Sequence, residues 1–275
     1  MYDFHCHSLA SDGQLSPVAL VELAASHGVE WLALTDHDTH AGLDEAAAAC
    51  RQRGMRLIAG AEWSLLHDKR EYHVLGLGVD PAAQAICQLE QAQQNARRER
   101  ARLIGQRLDK AANMTGSYAK ACQLANTEAP GRPWFARVLM AENRVRDMTH
   151  AFNRFLKKGQ SAFVATPWAS IEQGIQVIKQ AGGVAVLAHP QHYSLTRTKL
   201  FRLLGDFKRL GGEGMEVAMP NLTPHQHQLL HQACQHFDLL ASGGSDFHSP
   251  EQKWLTLGRL PAVDKALVPI WHRWR

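Results

Sequence analysis

The sequence predicts an α/β fold, in the form of an α/β barrel interrupted by a helical insertion. Three features of the 275-residue chain support this: seven short apolar runs, helical patterns between most of them, and one long arginine-rich stretch without a strand pattern. Alternating strands and helices are typical of α/β architectures. Seven repeats favour a closed barrel, although alternation alone is also compatible with an open sheet.

The predicted strands are short apolar runs of the kind found in buried parallel sheets. They are residues 2–4, 31–34, 56–59, 73–77, 184–188, 215–217 and 239–241. In the first predicted helix, Ser16 is a capping residue, Pro17 occupies the first helical position, and Gly28 ends the helix. Residues 41–53 are alanine-rich and helical as far as Gly54, and further helices are expected at about 170–181, 196–210 and 223–237.

Residues 92–166 interrupt this alternation and predict a long helix followed by shorter ones. The expected organisation is therefore a first barrel part (1–91), a helical insertion (92–166) that serves as a substrate cap, and a second barrel part (167–275). The insertion holds 14 Lys and Arg against 5 Asp and Glu, whereas the remainder holds 16 against 21. Solvated helix faces explain part of this asymmetry. The segregation nevertheless suggests an acidic body that collects metal ions and a basic segment that collects phosphates.

Composition excludes several classes of protein. No apolar stretch approaches the 18 residues expected of a membrane span, and the N-terminus lacks the basic and apolar regions of a signal peptide. The five cysteines, at positions 6, 50, 87, 122 and 234, are scattered and form no CxxC pair. Free thiols are typical of a reducing compartment, so the sequence predicts a cytoplasmic protein.

Potential metal ligands follow or begin six of the seven predicted strands. They are His5 with His7, Asp36-His37-Asp38, Glu62, His73, His189, and Asp246 with His248. Residues two apart in an extended chain share a face, so His5 and His7 can bind one ion while Cys6 points away. Because barrel enzymes place their chemistry at the C-terminal ends of the strands, these side chains are expected to converge.

Each of these residues also has a structural interpretation. A single histidine at a strand end is more often a hydrogen-bonding residue, Asp36 and Asp38 suit turns or caps, and Glu216 suits either a site or a paired core position. The repetition of ligand types at equivalent positions favours a metal site. Histidine mixed with carboxylate, without cysteine, favours Mn, Zn or Fe in a hydrolytic centre.

These residues fall in motifs that resemble the PHP (polymerase and histidinol phosphatase) superfamily. The motifs are His5-x-His7, Ser11-Asp12-Gly13, Thr35-Asp36-His37-Asp38, Gly60-x-Glu62, His73, Ala188-His189-Pro190 and Ser245-Asp246-x-His248. The resemblance covers essentially the whole chain. It implies a distorted seven-stranded barrel with a phosphoesterase site of two or three metal ions. Mn²⁺ is favoured, with Zn²⁺ and Fe²⁺ as alternatives.

The insertion resembles that of the ribonuclease AM branch, in the stretches Gly131-Arg132-Pro133-Trp134-Phe135-Ala136-Arg137 and Phe155-Leu156-Lys157-Lys158-Gly159. That branch comprises 3′,5′-nucleoside bisphosphate phosphatases that also trim RNA from its 5′ end. A histidine commonly stands in the branch where this chain has Trp134. An indole can stack on a base but cannot replace a charged imidazole against phosphate, so this position affects substrate preference.

The resemblance implies a distribution of ligands. One ion would be held by His5, His7, Glu62 and Asp246, with Glu62 bridging to a second ion on His73 and His189. A third site would use Asp12, His37 and His248. Asp36 would orient a ligand rather than bind an ion. His37 or His248 would supply a proton to the leaving oxygen, while Arg132, Arg137 and Lys158 would hold the 5′ phosphate of a nucleoside bisphosphate or of a short 5′-monophosphorylated RNA.

Three alternatives remain open at this point. A histidinol-phosphate phosphatase of the same superfamily would hydrolyse histidinol phosphate but not adenosine 3′,5′-bisphosphate. A non-catalytic PHP module would bind metal without turnover, although the full ligand set argues against it. A nucleic-acid-binding protein that used the basic helices would bind duplexes without releasing any product.

Overall fold

A computed structural model describes residues 1–274, and these form two compact units. The first unit joins Met1–Glu90 to the part of the chain from Ala169 onward, and the second is Gln91–Trp168. None of the helices formed by residues 1–274 combines the length and the apolar character needed to cross a bilayer.

The first unit contains a seven-stranded sheet whose strands follow one another in chain order. The strands are β1 (Tyr2–Asp3), β2 (Trp31–Leu34), β3 (Arg56–His67), β4 (Arg70–Leu77), β5 (Val184–Leu187), β6 (Gly214–Ala218) and β7 (Leu240–Gly243). Strands β1, β2 and β3 run parallel to one another, as do β5, β6 and β7. The predicted α/β barrel class is confirmed.

The chain segments that follow β1 and β7 join the two edges of the sheet. The backbone N–H of Asp246 donates to His5 O at 2.8 Å, and that of His7 donates to Phe247 O at 2.9 Å. This approach requires glycine at position 244, because a Cβ there would lie 2.2 Å from the Cβ of His5. The two chain regions richest in potential ligands are thereby brought side by side.

The expectation that all strands are parallel was wrong at β4, which runs antiparallel to both β3 and β5. The reason is a two-residue hairpin turn. Asp68 and Lys69 both adopt left-handed backbone angles, with φ of 48° and 60°. This matches the twist of the flanking strands. Strand β3 therefore runs much further than predicted, and Glu62 lies inside it rather than after its end.

The helices are α1 (Pro17–Ser26), α2 (Leu43–Arg53), α3 (Gln84–Ala111), α4 (Ser117–Ala125), α5 (Arg132–Ala141), α6 (Met148–Ala151), α7 (Ile171–Gln180), α8 (Arg197–Arg209) and α9 (Pro224–His236). As predicted, Ser16 caps α1, accepting a hydrogen bond from the N–H of Ala19, and Gly54 ends α2 with a φ of 66°. Ser170 and Thr223 form capping boxes at α7 and α9. Such caps set where each helix starts, and so where each strand-to-helix loop ends.

Candidate metal centre

His5 and His7 are fully buried on the extended segment that follows β1. Their Nε2 atoms lie 3.1 Å apart. Cys6, between them, points into an apolar cluster with Leu32 and Leu34, and its thiol donates to Ala33 O. The alternation of an extended chain thus separates two metal-ligand types from a core thiol.

Glu62 lies at the centre of the site and its side chain is almost completely buried. Its Oε2 atom lies 3.3 Å from His5 Nε2, 3.2 Å from His7 Nε2 and 3.0 Å from His37 Nδ1. Its Oε1 atom lies 2.9 Å from His73 Nδ1 and 2.8 Å from His189 Nε2. One carboxylate therefore contacts imidazoles from five separate positions in the sequence.

Asp246 completes a first group of potential ligands. Its Oδ1 atom lies 3.3 Å from His5 Nε2 and 3.2 Å from His7 Nε2. One ligand atom from each of His5, His7, Glu62 and Asp246 falls within 4.8 Å of all the others. Asp246 has a φ of 54°, a left-handed angle that is unfavourable for most residues other than glycine. Strain of this kind is typical of functional sites.

Two further groups meet the same 4.8 Å condition and share residues with the first. Asp12 joins His7, His37 and His248, with its Oδ1 atom 3.3 Å from His248 Nε2. His37 also forms a group with Glu62 and His73. Among residues 1–274, His189 belongs to none of the three groups, but its Nε2 atom contacts Glu62 Oε1 and its ring lies against that of His73. All nine sequence-predicted ligands nevertheless lie in or against this cluster.

The donor set and its spacing fit divalent ions. All the donor atoms are imidazole nitrogens or carboxylate oxygens. Metal–ligand distances of about 2.0–2.2 Å place neighbouring ligand atoms roughly 3 Å apart. Within residues 1–274, Glu62 Oε2 and Asp12 Oδ1 are buried oxygens that lie beside imidazole nitrogens without a well-aligned hydrogen bond. Poorly satisfied buried oxygens are costly, and a bound cation would remove that cost.

The charges of the site are strongly coupled. Burial opposes protonation of His73, but the Glu62 and Glu71 carboxylates outweigh it and raise the His73 pKa to about 10. Burial likewise opposes protonation of His248, and Asp12 and Asp246 raise its pKa to about 10. Burial alone would raise the pKa of Asp12, but His37 and His248 hold it far below the usual range. Without an ion, the protons on His73 and His248 thus balance the negative charge of the buried carboxylates.

Glu216 is a functional candidate that the sequence left undecided. It lies in β6, fully buried, and its Oε1 atom accepts a hydrogen bond from His5 Nδ1 at 3.1 Å. Its Oε2 atom accepts the backbone N–H of His189 at 2.7 Å. The available signal was a single carboxylate inside an otherwise apolar strand, a pattern also typical of a paired core residue.

Asp36 contacts the loop that carries Asp12. Its Oδ1 atom accepts the backbone N–H of Ser8 at 2.8 Å and the hydroxyl of Ser11 at 2.6 Å, and its Oδ2 atom accepts the hydroxyl of Ser8 at 2.7 Å. These three hydrogen bonds hold the loop rather than an ion. Asp38 instead accepts the backbone N–H of Ser64 at 2.7 Å.

The predicted phosphate-binding residues lie in the second unit. Arg132 is the first residue of α5, with its guanidinium 5.9 Å from the centroid of the Phe152 ring. The Arg137 guanidinium lies 4.9 Å from the Trp134 ring centroid, and Trp134 is buried in the apolar core of this unit. Lys158 is exposed. The assignment of Arg132, Arg137 and Lys158 to a 5′ phosphate stays a prediction.

Comparison with known proteins gives matches over the full length of the chain. The PHP domain family matches residues 3–144. The 5′-3′ exoribonuclease of Haemophilus influenzae is 42% identical over 272 residues, which cover 99% of this chain and 98% of that protein. The 3′,5′-nucleoside bisphosphate phosphatase of Chromobacterium violaceum is 39% identical over 274 residues, which cover 98% and 95% of the two chains. A solved amidohydrolase from C. violaceum, with bound sulfate and no metal, has a TM-score of 0.93 at 37% identity. The match covers 99% of this chain and 95% of that chain.

Proposed function

Because this chain belongs to the PHP domain family, we propose that it removes the 3′ phosphate of nucleoside 3′,5′-bisphosphates and trims short 5′-monophosphorylated RNA from the 5′ end. The two curated relatives compared above are named for these two activities, and both activities hydrolyse phosphate esters. The chain is accordingly a phosphoester hydrolase, and divalent metal ions are its cofactors.

The observation that carries the proposal is the position of Glu62. One buried carboxylate lies within 3.3 Å of imidazole nitrogens from His5, His7 and His37 on one oxygen. Its other oxygen contacts His73 and His189. A carboxylate that has ligands on both oxygens can bridge two ions. Paired ions are typical of enzymes that displace a group at phosphorus in line with the departing oxygen.

We assign three groups of residues to the ions, with Mn²⁺ as the proposed metal. His5, His7, Glu62 and Asp246 would hold the first, Glu62, His73 and His189 the second, and Asp12, His37 and His248 a third. When bound, such ions supply hydroxide at neutral pH and neutralise charge on the phosphoryl oxygens. Glu216 would fix the orientation of His5, and Asp36 that of the loop carrying Asp12.

When the third ion is not bound, His37 and His248 are the proposed proton donors to the leaving ribose oxygen, since an imidazole that holds an ion has no acidic proton to give. Both imidazoles contact Asp12, and His248 is about a quarter exposed, so a substrate oxygen can reach it. Arg132, Arg137 and Lys158 remain the proposed ligands of the 5′ phosphate, because arginine offers a planar pair of donors to phosphate oxygens. Recognition of that phosphate would select substrates phosphorylated at both ends.

A direct assay separates this proposal from its alternatives. The purified chain with Mn²⁺ should release phosphate from adenosine 3′,5′-bisphosphate and mononucleotides from a short 5′-phosphorylated RNA, and a chelator should stop both reactions. Activity on histidinol phosphate alone would establish the histidinol-phosphatase alternative. Nucleic-acid binding without any product would establish the binding-protein alternative. We also propose a cytoplasmic location, supported by five cysteines that are all free.

A further inference from the structure

A groove of about 540 Å³ lies between the loop that follows β6 and the loop that follows β7. Pro220 and Asn221 contribute from the first loop, while Lys253, Trp254 and Arg259 contribute from the second. In barrel enzymes, loops at these strand ends surround the reaction site. The second loop also follows directly after Asp246 and His248, which belong to the candidate metal centre.

Trp254 is 66% exposed, which makes it the most exposed large apolar side chain among residues 1–274. Its loop is held in place despite this exposure. Leu257 is fully buried, the N–H of Gly258 donates to the Asp3 carboxylate at 2.9 Å, and the N–H of Leu255 donates to Gln252 O at 2.8 Å. Tryptophan is enriched at binding surfaces, and a ring on an anchored loop loses little conformational freedom when it stacks on a ligand.

Two exposed cations, Lys253 and Arg259, line the same groove. Within the described part of the chain, neither forms an ion pair with a carboxylate, whereas Arg53, Lys120 and Arg273 do. A ring for stacking and two available cations are the combination that binds single-stranded nucleic acid, in which bases stack on aromatic side chains and phosphates meet basic ones.

We infer that this groove binds the RNA nucleotides on the 3′ side of the phosphate that reacts. This inference rests on the proposed function. Lys253 lies five positions after His248, so the groove begins within roughly 17 Å of chain from the metal centre. A bisphosphate ends at its 3′ phosphate and does not extend into the groove. An RNA continues beyond that phosphate, so Trp254 strengthens the binding of RNA but not that of a bisphosphate.

The test compares the two substrate classes in the same variants. Trp254→Ala should raise KM for a short 5′-phosphorylated RNA by roughly tenfold, the loss expected for one stacked base. The kinetic constants for adenosine 3′,5′-bisphosphate should stay unchanged. Lys253→Glu and Arg259→Glu should act in the same direction, with a greater effect at low salt. Lys179→Glu is the matched control, because this exposed lysine lies in the last turn of α7, just before β5 and at the opposite end of the strands.

A binding measurement complements the kinetics. Oligoadenylate with a 5′ phosphate should quench the tryptophan fluorescence of the wild-type protein, and this quenching should be reduced in Trp254→Phe. An unchanged KM for RNA in Trp254→Ala would overturn the inference that RNA binds in this groove. Equal losses of activity on RNA and on the bisphosphate would also overturn it. Either result is distinct from failure of the proposed function, in which the wild-type chain would hydrolyse neither substrate.

Discussion

The Nδ1 atom of His5 lies 3.1 Å from one carboxylate oxygen of Glu216 and 3.2 Å from the other. A carboxylate accepts and cannot donate, so Nδ1 carries a proton and Nε2 is the ring nitrogen that can bind an ion. Nε2 faces Glu62 and Asp246, each with an oxygen 3.3 Å away. Glu216 in strand β6 therefore determines which ring nitrogen of His5 is available to bind an ion.

Glu216→Gln should weaken Mn²⁺ binding by about 10- to 100-fold, the usual cost of losing an outer partner of a metal ligand. The amide can still accept one hydrogen bond, so the variant should fold, and Glu216→Asp should recover part of the affinity. Isothermal titration with Mn²⁺ measures the effect. Glu172→Gln, an exposed substitution in the first turn of α7, is the control. Equal affinities for Glu216→Gln and wild type would remove Glu216 from the metal centre.

Metal binding should release protons, and the affinity for Mn²⁺ should rise with pH. The pKa values of His73 and His248 are raised to about 10, so both imidazoles are protonated near neutral pH when no ion is present. Their stabilisation of the ion-free fold is complete below pH 6.5, their ordinary pKa, and is lost as the pH rises through about 10. Titration with Mn²⁺ at pH 7.5 in buffers of different ionisation enthalpy measures the protons released. An enthalpy independent of buffer would contradict this.

Asp36→Ala should loosen the loop that carries Asp12. The substitution leaves the Ser8 N–H and the hydroxyls of Ser8 and Ser11 without their acceptor, so the free energy of unfolding should fall by about 1–3 kcal/mol. Binding at the Asp12, His37 and His248 group should weaken more than binding at the His5 group. Urea denaturation and Mn²⁺ titration test the two parts. Full stability together with unchanged metal stoichiometry would exclude this role for Asp36.

Arg132→Ala should reduce kcat/KM for adenosine 3′,5′-bisphosphate by about 10- to 100-fold, as expected for a lost charged hydrogen bond. Its effect on p-nitrophenyl phosphate, which has no second phosphate, should be small. Arg146→Ala provides a matched control in the same unit, because Arg146 is exposed and its guanidinium pairs with the neighbouring Asp147. Equal losses on both esters in Arg132→Ala would place Arg132 outside any 5′-phosphate site.

The sequence predicted the barrel because its strands are short and apolar and its helices carry explicit caps, as at Ser16 and Gly54. It also predicted which residues converge, since ligand types recur where strands end. It failed at the β3–β4 hairpin. Asp68-Lys69 is a weak turn signal compared with the usual Asn-Gly pair, although both residues adopt left-handed angles. The role of Glu216 depends on contacts with His5 and His189, which are distant in sequence, and no local pattern contains them.

The central claim is that Glu62 joins bound metal ions into one phosphoesterase centre. Its most direct test is phosphate release from adenosine 3′,5′-bisphosphate, measured against the Mn²⁺ bound per chain in the wild type and in Glu62→Gln. The expected result is that wild-type activity appears only as more than one ion binds, whereas Glu62→Gln binds fewer ions and releases phosphate at least about 100-fold more slowly. Release by the wild type without bound metal, or full activity in Glu62→Gln, would contradict the claim.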